Sequence, residues 1–183
     1  MIIDSGWISG ERRVPSPNCD CRPAGASLDL IVVHGISLPP GEFGGPWIDD
    51  LFVNCLDPSV HPYFAEIASL EVSAHVLIAR SGALTQYVAF DLRAWHAGAS
   101  CWQGRERCND FSVGIELEGA DDVPYEKAQY ETLARVVTAL RAAYPSLARA
   151  PIVGHCDIAP GRKTDPGPAF DWALCRQLTE RPT

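Results

Sequence analysis

Leu30-Ile31-Val32-Val33-His34 is an unbroken apolar run that ends on a histidine and is followed by Gly35. A run without polar alternation is what a strand covered on both faces requires, because neither row of side chains meets water. A histidine closing such a strand invites a functional reading. Working outward, Phe111, Val113, Ile115 and Leu117 alternate with Ser112, Gly114, Glu116 and Glu118. That period of two predicts a half-exposed strand with its apolar row on one face and both acids on the other. Val72 to Ala79 and Ala83 to Ala89 flank Arg80-Ser81-Gly82 and predict a hairpin with Gly82 in its turn. Ile152-Val153 leads through Gly154 to His155, a further short strand ending at a histidine.

The spacing Leu133, Val136, Val137, Leu140, Tyr144 follows one helical face that Pro145 stops, and a closing helix is expected at about Asp171 to Glu180. These elements predict an α/β protein, a single domain over 1–183, with a central mixed sheet of about five strands flanked by helices. Residues 1–27 show little periodicity and read as an extended arm wrapped over the domain. Ser37 to Leu70 carries Pro39-Pro40-Gly41, Gly44-Gly45-Pro46, Pro58 and Pro62, with room only for short helices near Trp47 to Phe52 and Tyr63 to Ala68. So long an irregular segment in a compact domain usually serves function, here as a mobile cover over a substrate groove.

The 183 residues are 46% hydrophobic and 21% charged, enough to bury a core without staples. A net charge of -8 argues against nucleic acid and anionic membrane surfaces as partners. The amino terminus lacks the basic start and apolar run of a secretory signal, and no apolar stretch approaches roughly 18 residues, so a cytoplasmic location is expected. Seven cysteines form an odd, scattered set, which disfavours a disulfide framework. Cys19-Asp20-Cys21 is spaced too closely for the usual zinc pair, and the thiols read as reduced and incidental.

His34 and His155 at strand ends, with Asp165 in the loop that follows, offer two imidazoles and a carboxylate to a borderline metal. Such a set leaves a fourth zinc position open for water. Taken singly, each histidine reads as readily as a satisfied structural residue. Glu116 taken alone reads as a solvated strand residue, Lys163 as a surface charge, Trp95 as core and Arg107 as solvated.

Several motifs occur in one order along the chain: Ile31-Val32-Val33-His34, Ser73 to Ile78, Ala94-Trp95-His96-Ala97-Gly98, Gly104 to Asp110, Gly114 to Gly119, and Gly154-His155 through Lys163-Thr164-Asp165-Pro166-Gly167-Pro168. In that order they resemble the zinc N-acetylmuramoyl-L-alanine amidases related to phage lysozyme-amidases and peptidoglycan recognition proteins. The likeness covers nearly the whole chain. Arg13 to Asn18, Leu38 to Trp47, and Asp165 where many relatives place cysteine, are similar to the cytoplasmic branch that acts on 1,6-anhydro-muropeptides.

The resemblance implies that His34, His155 and Asp165 hold zinc at one edge of the sheet's open face. It implies Glu116 as general base and Lys163 as the cation that stabilises the oxyanion. Trp95 would offer an aromatic face to the substrate, and Arg107 a bidentate contact to a stem-peptide carboxylate. The expected partner is an anhydro-muramyl peptide, in cell-wall recycling. Gly35 and Glu71 depart from the pattern, which has a polar residue beside the first ligand and a basic one near the peptide. His75 and His96 read as supporting or structural and His61 as incidental. Cys156 would face away from its neighbour His155. The rivals are an amidase acting on polymeric peptidoglycan and a peptidoglycan-fragment binding protein without catalysis.

Overall fold

In the computed structural model, which describes residues 1–180, the Leu30–Ile36 strand lies between two parallel partners, Ser112–Glu118 and Ile152–Gly154. The remaining sheet neighbours run outward from Ser112–Glu118 as Val76–Ile78, Leu84–Gln86 and Arg12–Arg13. Val76–Ile78 and Leu84–Gln86 form the expected antiparallel hairpin, and the other pairings are parallel, so the sheet is mixed. It has six strands, in keeping with the expected central sheet of about five. The sixth comes from the amino-terminal arm, where Arg12–Arg13 pairs with Thr85 and Gln86 through backbone groups that leave no side-chain pattern. The last three residues of the expected 1–183 span lie outside the described residues.

One face of the sheet is closed by helices. Ile31, Val33, Val76, Ile78, Val113, Ile115 and Leu117 pack against Leu133, Val136, Val137 and Leu140 of the long helix Lys127–Ala143, with Cys175 of Trp172–Thr179 in the same cluster. The long helix starts a turn and a half before its apolar stripe because Glu126 and Gln129 form a capping box. Buried Gln129 also donates its amide to the carbonyls of Ile78 and Glu118, tying helix to sheet.

The opposite face is covered by loops. Leu30 and Val32 pack with Ala97, Phe111, Val153 and Ile158, while Ala74, Leu77 and Tyr87 pack with Leu38, Ile48, Leu51, Phe52 and Phe64 of the Ser37 to Leu70 segment. That segment forms short helices at Trp47–Phe52 and Pro62–Ile67, where they were expected. His61 is not incidental: its Nδ1 accepts from Tyr63 N at 3.1 Å and caps the second of them. The Ser112–Glu118 strand, expected to be half exposed, is buried along its whole length. Alternation there separates two buried faces. Glu118 is accommodated because its carboxylate accepts from the backbone N–H groups of Gly44 and Arg80. Among the described residues no helix is long and apolar enough to cross a membrane.

Candidate metal centre

Strand parity puts His34 on the loop-covered face, directly opposite Glu116 in the parallel register. His155 does not end a strand. It is the first residue of the short helix His155–Ile158, immediately after Ile152–Gly154. Cys156 is therefore a helical residue, and its backbone N–H donates to the Asp165 carbonyl at 3.0 Å, which ties the third candidate ligand to the second. The cluster lies at the carboxyl ends of two parallel strands, where open α/β sheets commonly bind ligands.

Nδ1 of His34 lies 3.0 Å from Nδ1 of His155 and 3.2 Å from Asp165 Oδ2, and the latter two are 3.1 Å apart. Burial lowers the His34 imidazole to about 4, so it is neutral near pH 7. His155 Nε2 faces the Ala97 carbonyl at 3.3 Å. A carbonyl only accepts, so the proton sits on Nε2 and leaves the Nδ1 lone pair facing inward. A carboxylate oxygen and inward imidazole nitrogens at such separations suit a cation of zinc's ligand preference, and the donor set fits.

Glu116 lines the same cavity, about 530 Å³ in volume, together with Trp95, Arg162, Lys163, Leu38 and Tyr63. Its Oε2 is buried without a hydrogen-bond partner. Burial first, and the Asp165 charge second, push its carboxyl well above the ordinary glutamate range, with Lys163 opposing. A carboxyl group so poorly solvated holds a proton more tightly than an exposed one.

Trp95 reaches the cavity wall, its indole N–H donating to Asp20 Oδ1 at 3.2 Å. Arg107 is not brought to the cluster. It is exposed beside Asp110 and lines a neighbouring depression. Arg162 lines both spaces and donates to the carbonyls of Ala97 and Ala99, each at 2.7 Å. Sequence reasoning missed it, since nothing beside Lys163 distinguishes Arg162 from a surface cation. Gly35 has a packing reason: a Cβ there would overlap the Tyr125 hydroxyl, which donates to the Pro166 carbonyl at 2.9 Å beside Asp165. Glu71 lines a side depression with Trp95, Arg162 and Lys163.

With fold and site in hand, comparison with known proteins defines the class. The profile of the N-acetylmuramoyl-L-alanine amidase family matches residues 24–168, and the chain belongs to that family of hydrolases. It is 63% identical, over 183 residues and the whole of both chains, to the 1,6-anhydro-N-acetylmuramyl-L-alanine amidase AmpD of Escherichia coli strain K12. A crystal structure of a selenomethionine AmpD derivative superposes with a TM-score of 0.94 at 63% identity, covering 97% of this chain and 99% of that one. A more distant structure, the amidase AmiD of E. coli in complex with anhydro-N-acetylmuramic acid-L-Ala-D-γ-Glu-L-Lys, superposes at 0.59 with 27% identity, over 97% of this chain and 65% of that one.

Proposed function

We propose that the chain is a zinc-dependent amidase that hydrolyses the bond between 1,6-anhydro-N-acetylmuramic acid and L-alanine in muropeptides, in the cytoplasm, as a step of cell-wall recycling. The observation that carries this reading is the meeting of His34, His155 and Asp165 within 3.2 Å, in one cavity with an unpartnered Glu116. His34, His155 and Asp165 would hold the zinc, which would supply a Lewis acid for the scissile carbonyl and for the attacking water.

Glu116 takes the proton of that water on its carboxylate and returns it to the alanine nitrogen as the amide breaks. Lys163 faces the oxygen that gains charge, where a preorganised cation contributes about 3 kcal/mol. Trp95 gives a flat apolar surface for the sugar or the first peptide unit. Arg107 and Arg162 line one depression, in which the stem-peptide carboxylates find guanidinium partners.

The test is mass analysis of products from an anhydro-muropeptide and from intact sacculi, with the metal content of the same protein. Release of the free peptide from the small substrate, little from sacculi, and one zinc per chain are the expected results. Binding of the muropeptide without turnover by zinc-loaded protein would make the chain a binding module, and efficient digestion of sacculi would make it an enzyme of the polymer.

A further inference from the structure

Behind His34 runs a second line of polar groups that the reaction does not use. His34 Nε2 lies 2.9 Å from His96 Nδ1, and His96 Nε2 lies 3.2 Å from Ser112 Oγ. Ser112 Oγ in turn lies 2.6 Å from the Cys108 carbonyl oxygen. All three side chains are buried, so each proton must be accounted for within the protein.

The Cys108 carbonyl fixes the far end of the line. Two oxygens 2.6 Å apart need a proton between them, and a carbonyl has none, so Ser112 donates its single hydroxyl proton to Cys108. Ser112 can then only accept from His96, which places the His96 proton on Nε2. A neutral imidazole carries one proton, so His96 Nδ1 is bare and accepts from His34 Nε2. His34 is then left with an unprotonated Nδ1, the atom that faces His155 and Asp165.

The local backbone is shaped for this arrangement. Asn109 Oδ1 accepts from both His96 N and Ala97 N, at 3.1 and 2.8 Å. That fixes the dipeptide supplying His96 to His34 and the Ala97 carbonyl to His155. Gly114, on the strand beneath, carries no Cβ, and one there would overlap the His96 ring.

We propose that His96, backed by Ser112, is a positioning residue that fixes the tautomer of His34 and so presents a bare Nδ1 to the ion. The inference rests on the reading of His34 as a zinc ligand. It differs from a packing role for His96, because only an acceptor at the Nδ1 position does the work.

Two measurements test it. 15N NMR of histidine-labelled wild-type protein, with and without zinc, should show His96 protonated on Nε2 and bare on Nδ1. Zinc affinity, by competition with a chelator, should fall about 10- to 100-fold in His96→Leu, which fills the space without an acceptor. His96→Asn places an amide oxygen near the former Nδ1 and should restore affinity to within a few-fold. Ser112→Ala should fall between these variants. Zinc uptake by a wild-type protein whose His96 carries its proton on Nδ1, or wild-type affinity in His96→Leu, overturns this inference alone. Failure of wild-type protein to take up zinc overturns the functional reading and this inference with it.

Discussion

The two faces of one sheet carry opposite chemistry on the same strands. On the helix-covered face, Ile31, Val33, Val113, Ile115 and Leu117 belong to one large apolar cluster. On the loop-covered face the intervening positions change from Leu30 and Val32 to His34, and run through Ser112, Gly114, Glu116 and Glu118. A buried polar group is tolerated when it has partners. His34 has His96, Ser112 has the Cys108 carbonyl, and Glu118 has two backbone donors. Glu116 keeps an oxygen without one. The helix face supplies stability without specificity of contact, and the loop face uses that stability to hold groups that would otherwise demand water.

If the faces divide the labour this way, substitutions should sort by face. His155→Ala should remove zinc and all measurable turnover while the far-ultraviolet circular dichroism stays native, and global unfolding would instead make the site a structural staple. Glu116→Gln keeps zinc and shape but loses the proton acceptor, so turnover should fall by about 10²- to 10⁴-fold with zinc content unchanged. Lys163→Ala should lower the turnover rate by roughly 10²- to 10³-fold through lost charge stabilisation. Near wild-type turnover in either zinc-loaded variant would remove that residue from the mechanism.

On the helix face, Leu133→Ala should cost about 2–5 kcal/mol in chemical denaturation and leave turnover per folded molecule unchanged. A large change in turnover there would break the division.

A further expected effect concerns acid. His75 accepts from Gly114 N at Nδ1, and its Nε2 lies 3.1 Å from the Leu92 carbonyl. Arg22 stands 3.0 Å from it, and His34 and His96 are its other titratable neighbours. Burial, then the Arg22 charge, lower its pKa to about 3. A depressed folded value gives stability that is complete above the unfolded value near 6.5 and is lost as pH falls from there toward about 3. The loss approaches about 1.4 kcal/mol per pH unit for each such histidine. His75→Gln should make the acid limb of stability shallower, and an unchanged slope would show that His75 already titrates in the folded protein.

Much of this was legible in the chain. The Leu30 to His34 run, the hairpin about Gly82 and the Leu133 to Leu140 stripe each contain enough periodicity to name an element and its buried face. His34, His155 and Asp165 were legible through their motifs. Exposure was not: alternation in Ser112–Glu118 says only that two rows differ, and whether water or the Ser37 to Leu70 segment meets the polar row depends on packing far away in sequence. Arg12–Arg13 joins the sheet through backbone hydrogen bonds that any side chain permits. Arg162 acquires its place only because the loop after Ile158 folds back on Ala97 and Ala99.

By itself, then, the sequence determined the central strands, the long helix and which side chains have the chemistry to bind an ion and move a proton, since period and residue type are local properties. Tertiary structure alone decided which atom of each histidine faces the others, that Glu116 is stripped of solvent, and that His96 and Ser112 stand behind His34. Those outcomes depend on hydrogen-bond geometry and burial between segments more than sixty residues apart, and no local pattern encodes where a remote proton acceptor will lie.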